Sequence, residues 1–112
     1  MIYQVKLTDN AKEQLKETVW YISKVLLEPE IARHWSDRIK REILTLDFMP
    51  HRCPFVDEEP WRTEGIRKLT VDHFIVYYWI NDNTATVWIT AVVYGRRDQI
   101  SALRNMPKES ST

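Results

Sequence analysis

Tyr3, Val5 and Leu7 alternate with Gln4 and Lys6, the period-two pattern of a short strand with one covered face. Thr8-Asp9-Asn10 follows with side chains suited to a helix N-cap. Ala11, Leu15, Val19, Ile22 and Leu26 then recur at helical spacing, with Lys12, Glu13, Lys16 and Glu17 on the wet side. Pro29 suits the first residue of a second helix, where its missing N–H costs nothing and its fixed φ already fits. Ile31, Trp35, Ile39, Ile43 and Leu46 form the next apolar stripe. The short connection around Leu27-Glu28 makes the two helices an antiparallel hairpin.

From Met49 to Glu64 the periodicity disappears, and Pro50, Pro54, Pro60 and the run Asp57-Glu58-Glu59 mark an irregular acidic crossing. Strand patterns return over Ile66 to Val71, Phe74 to Ile80 and Thr84 to Tyr94, rich in β-branched and aromatic residues. Asp72-His73 and Asn81-Asp82-Asn83 are short enough for hairpin turns. The expected fold is therefore α+β: an N-terminal strand and an antiparallel two-helix hairpin packed on one face of a mainly antiparallel four-stranded sheet. Asp98 to Arg104 is expected to add a short C-terminal helix. Residues 1–105 read as a single domain and 106–112 as a polar tail that frays.

Composition narrows the function. The chain of 112 residues balances sixteen Lys and Arg against sixteen Asp and Glu, so it exerts no long-range pull on nucleic acid. Two glycines cannot build a phosphate-cradling loop, which excludes P-loop and dinucleotide folds. One cysteine forms no internal disulfide and makes a poor metal set. No segment approaches the roughly 20 apolar residues that span a bilayer, and a cytoplasmic location is expected.

Few residues suggest catalysis. His51 and Cys53 stand two apart in a Pro-bounded loop, but no orienting third group or oxyanion hole is recognisable, so a packed loop cysteine is the favoured reading. The carboxylates at 57–59 lack the spacing of a calcium loop and read as a solvated charge run. Arg62, Arg67, Lys68, Arg96 and Arg97 lie in or beside the sheet half, where six basic residues from Gly65 onward face four acidic ones. A cluster there would suit phosphates or carboxylates. Tyr77, Tyr78, Trp79 and Trp88 alternate in direction, so about half belong to a core.

In their order and spacing these segments resemble one family. Tyr3-Gln4-Val5-Lys6-Leu7-Thr8, the Ala11-centred helix with Trp20-Tyr21-Ile22, Gly65-Ile66-Arg67-Lys68-Leu69, Phe74-Ile75-Val76-Tyr77-Tyr78 and Val93-Tyr94-Gly95-Arg96-Arg97-Asp98 are similar to the RelE/ParE superfamily of toxins. The resemblance implies the toxin of a type II toxin–antitoxin module, neutralised by a cognate antitoxin and needing neither metal nor cofactor. Its relatives are either ribosome-dependent mRNA endonucleases or inhibitors of DNA gyrase. On the nuclease side the matching positions would be Arg67, Lys68 and Arg97, with Tyr94 as a substitute acid. Phe74 and Leu103, however, stand where that pattern has an arginine and a tyrosine. The long helical hairpin and the Gly-Arg-Arg-Asp ending sit closer to the ParE branch, which acts by binding. That reading makes Arg96 and Arg97 target contacts, and it places the antitoxin on exposed apolar surface near Trp20 and Trp88. The alternatives are a RelE-like nuclease acting on ribosome-bound mRNA and an inactive antitoxin-binding module.

Overall fold

A computed structural model of the chain describes residues 2–94, 103–104 and 106–109, with Tyr94 described by its backbone alone. The elements are β1 (Gln4–Leu7), α1 (Asp9–Trp20), a π-helical turn (Tyr21–Val25), α2 (Pro29–Leu44), two 3-10 turns (Thr45–Asp47 and Pro50–Arg52), β2 (Arg67–Val71), β3 (Phe74–Asn81) and β4 (Thr86–Tyr94). The strands form one sheet in the order β1-β4-β3-β2, antiparallel except for the parallel pair β1 and β4. The α+β architecture expected from the sequence is present. Of the C-terminal helix, only the helical Leu103 and Arg104 lie among the described residues.

Thr8 opens α1 as expected, its Oγ1 accepting from Ala11 N–H at 3.2 Å. Its neighbours serve a feature that period-two reading does not reveal. β3 and β4 slip by one residue, because Tyr77 pairs with Ala91 but Tyr78 with Ile89, leaving Thr90 as a β-bulge. The Thr90 carbonyl accepts from Thr8 Oγ1 at 3.3 Å and Asn10 Nδ2 at 3.0 Å. Gln14 Oε1 accepts from Val92 N–H at 2.8 Å, and Thr90 Oγ1 donates to the Tyr77 carbonyl at 3.1 Å. The first turns of α1 thus satisfy backbone groups that the bulge removes from the ladder.

The helices depart from their expected stripes near the hairpin tip. The α-helix stops at Trp20 and widens into the π turn, where Leu26 N–H donates to the Tyr21 carbonyl at 3.1 Å. Ala11 and Leu15 are buried, but Val25 and Leu26 are half exposed. On α2, Trp35, Ile39 and Ile43 are buried, as is Leu46 just beyond, while Ile31 is 56% exposed. Ala32 is buried in its place.

The sheet is covered on both faces, whereas the sequence suggested one. The helices bury Phe74, Val76, Tyr78, Val87, Ile89 and Val92 on their side. On the other side Tyr77, Ala91 and Val93 pack with Val56 and Ile66 from the acidic crossing and with Leu103, flanked by Trp61, Ile75, Trp79 and Met106. The crossing closes through Val56 N–H to the Ile66 carbonyl and Lys68 N–H to the Pro54 carbonyl, both 3.0 Å. Met106 and Lys108, in the stretch the sequence reads as a polar tail, each contact the sheet. Met106 Sδ lies 3.1 Å from Thr90 Oγ1, and the Lys108 carbonyl accepts from Trp79 Nε1 at 2.8 Å.

Candidate functional site

The hairpin leaves a groove of about 530 Å³ between α1, α2 and the edge strand β1. Its floor is Leu7, Leu15, Val19 and Trp20, and its rim carries Lys12, Lys16, Lys24 and Lys40 with Ser23 and Ser36. Lys12 and Lys16 stand four apart on α1, as Ser36 and Lys40 do on α2, so each pair shares a helix face. No carboxylate lines the groove. None of the ion pairs among the described residues involves these lysines. Trp20 is 60% exposed beside them. The arrangement offers an apolar seat within a ring of positive charge that makes no ion pair among the described residues. Lys12 and Lys16, read from the sequence as wet-side charges, belong to this site; their i, i+4 spacing was the available signal.

The other candidate residues do not converge. Arg67 Nη1 donates to the carbonyls of Cys53 at 2.6 Å and His51 at 3.0 Å, and its guanidinium lies 4.0 Å over the Phe55 ring. It is committed to holding the crossing. Arg67 pairs with Tyr78 and Lys68 with Tyr77, so the two side chains leave opposite faces of the sheet. Tyr94 pairs with Phe74 through its backbone, while Arg96 and Arg97 lie outside the described residues. Trp88, expected on an exposed surface, is only 8% exposed. Its cross-strand neighbours Lys6 and Trp79 flank it on the same face, with Lys6 Nζ 5.7 Å from its ring.

His51 turns away from thiol chemistry. Its Nε2 lies 3.1 Å from Asp82 Oδ1, the oxygen that also accepts from Tyr3 OH at 2.7 Å. Those two hydrogen bonds hold the Asp82 carboxyl below its ordinary range, and the bond to Asp82 raises the Tyr3 hydroxyl. Tyr3 and Asp82, read from the sequence only as a strand residue and a turn residue, tie the start of β1 to the β3–β4 turn. Burial pushes the Tyr78 hydroxyl up, and it donates to the Pro50 carbonyl at 2.7 Å. Burial, then the charge of Glu58, pushes the Tyr77 hydroxyl up to about 12. In the acidic crossing Glu59 accepts from Thr63 N–H and Oγ1 at 2.8 and 2.9 Å, which lowers its carboxyl. No group of side chains among the described residues is arranged to hold a metal ion.

Phe74 and Leu103 are core residues. Phe74 is 5% exposed with its ring 4.2 Å from Trp35, and Leu103 is 2% exposed. The family model described as ParE toxin of type II toxin-antitoxin system, parDE, matches residues 5–99. The chain belongs to the ParE toxin family. No curated protein matches significantly.

Solved structures share the fold of this ParE-family chain. The chromosomal ParDE toxin–antitoxin system from P. aeruginosa contains a chain that superposes with a TM-score of 0.68 at 20% identity, covering 83% of this chain and 96% of its own. A chain of the RelBE2 toxin–antitoxin complex from Mycobacterium tuberculosis gives 0.58 at 21% identity, covering 84% and 99%. A variant of the E. coli toxin RelE in the free state gives 0.61 at 12% identity, covering 93% and 97%. Among the described residues no helix is long and apolar enough to cross a membrane.

Proposed function

We propose that this ParE-family chain arrests growth by binding DNA gyrase, without hydrolytic chemistry, and that a cognate antitoxin silences it at the lysine-rimmed groove. The observation that carries the antitoxin site is the groove itself. An apolar floor beside Trp20, ringed by four lysines and no carboxylate, suits an amphipathic helix with acidic flanks. Free nucleic acid would use the lysines but leave the apolar floor unused. Toxin–antitoxin complexes among the structures of like fold support an antitoxin partner.

Gyrase is favoured over mRNA cleavage because a metal-independent nuclease needs several groups around one phosphate. Here Arg67 is bound to backbone carbonyls and Lys68 leaves the opposite face. Phe74 and Leu103 fill cores where the nuclease pattern has polar groups. Arg96 and Arg97 are the proposed contacts to gyrase, and the cytoplasm is where both partners would be met.

The test runs a gyrase supercoiling assay beside a translation-dependent mRNA cleavage assay with the purified toxin. Loss of supercoiling with intact mRNA is expected. Intact supercoiling with mRNA cut in a manner abolished by Arg97→Ala would replace this reading with the RelE-like one. Absence of growth arrest on expression without antitoxin would leave an inactive antitoxin-binding module.

A further inference from the structure

Another groove lies on the other side of α2, with a volume of about 760 Å³ between that helix and the β2–β3 turn. Trp35 and Phe74 contribute apolar surface, and α2 lines it with Glu30, Ile31, His34 and Arg38. We propose that this face is a self-association surface on which two copies of the chain pair about a two-fold axis passing beside His34.

Glu30, His34 and Arg38 follow at i, i+4 and i+8 and form one ridge of α2, the kind of row that packs beside a like ridge of another helix. A two-fold rotation centred on His34 reverses the ridge, so Glu30 of each copy meets Arg38 of the other. Both ends of the contact then carry an opposite-charge pair, the condition for an isologous interface. Arg38 is half exposed and its Nε donates to Asp72 Oδ2 of its own copy at 2.9 Å, so Asp72 shares the charge at each end of the contact. Ile31, 56% exposed beside the ridge, supplies apolar contact. The balanced net charge gives two copies no long-range repulsion to overcome. Ser36 and Lys40 point the other way on α2, into the lysine-rimmed groove, so pairing leaves that groove open in both copies.

A contact of this extent belongs with the smaller protein interfaces, so a dissociation constant on the order of micromolar is expected. Sedimentation of the full-length toxin without antitoxin, across about 1 to 300 µM, measures it. Glu30→Arg or Arg38→Glu alone sets like charges against each other at both ends and should weaken pairing about tenfold. The double variant E30R/R38E restores opposite charges and should return the affinity to within about threefold. Ile31→Glu, at an exposed position, should also weaken pairing and covers the case in which losing the Arg38–Asp72 bond disturbs the fold. Lys40→Glu should change nothing. A chain that stays monomeric throughout, a double variant no better than R38E, or an equal loss in K40E would each overturn the proposal.

Discussion

The two grooves that flank α2 are similar in their making and opposite in their electrostatics. Each sets aromatic and aliphatic side chains at its base, and each takes its rim from α2 and a neighbouring element. The groove toward α1 carries four lysines and no acid, so only a molecule of the other sign complements it. The groove toward the β2–β3 turn carries Glu30 and Asp72 with Arg38, and a surface holding both signs in a row complements its own reverse. Helical spacing alone separates them. Ser36 and Lys40 are out of phase with His34 and Arg38, so one helix serves a hetero-partner on one side and a like partner on the other.

The largest effect should come from a core residue that seats α2, the helix the two grooves share. Ile39→Ala in the fully buried seam of α2 is expected to cost about 3 kcal/mol of folding stability and to weaken binding at both faces, measured by denaturant melts. Reversing charge in one groove should separate them: Lys16→Glu with Lys40→Glu is expected to lower antitoxin affinity about a hundredfold by calorimetry while self-association stays as in the parent. An equal loss in both measurements would erase the distinction drawn between the grooves. Trp20→Ala should weaken antitoxin binding about tenfold and spare folding, since its side chain is largely exposed. Raising salt from about 0.05 to 0.5 M should weaken the antitoxin complex more than the self-associated pair, because the former opposes four like charges.

The smallest effect concerns neither groove. The Asp82 carboxyl is lowered by its bonds to Tyr3 and His51, so its contribution to stability is present above the ordinary carboxylate pKa. It is lost as pH falls through the lowered folded value. Asp82→Asn should therefore flatten the acid limb of a melting-temperature profile slightly and leave both binding measurements unchanged.

Much of this architecture could be read before the structure, and the gaps have physical causes. Thr8 as a cap, Pro29 at a helix start and the alternation of Tyr3, Val5 and Leu7 are local signals, and each appears where local chemistry placed it. The bulge at Thr90 was hidden because Val87 to Val93 is apolar or β-branched on both faces, so no change of phase shows. The same property concealed the second core, whose cover comes from residues as distant as Val56 and Leu103. Trp88 was misplaced because its exposure depends on Lys6 and Trp79, which adjoin it only once three strands are paired. The lysine groove draws on β1, both helices and the turn between them, and only the spacing within each helix was visible in the chain.

The tie between α1 and the bulge sets an order of events. Among the described residues β1 pairs only with β4, and the side chains of Thr8, Asn10 and Gln14 find their backbone partners at residues 90 and 92. These contacts span about eighty residues of sequence, the separation that makes assembly slow and late. A nascent chain emerging from the ribosome therefore holds its first strand and first helix without a seat until the last strand has been made. The helical hairpin that forms both grooves takes its final place only once β4 has been made, so a chain interrupted before β4 would have neither of them complete.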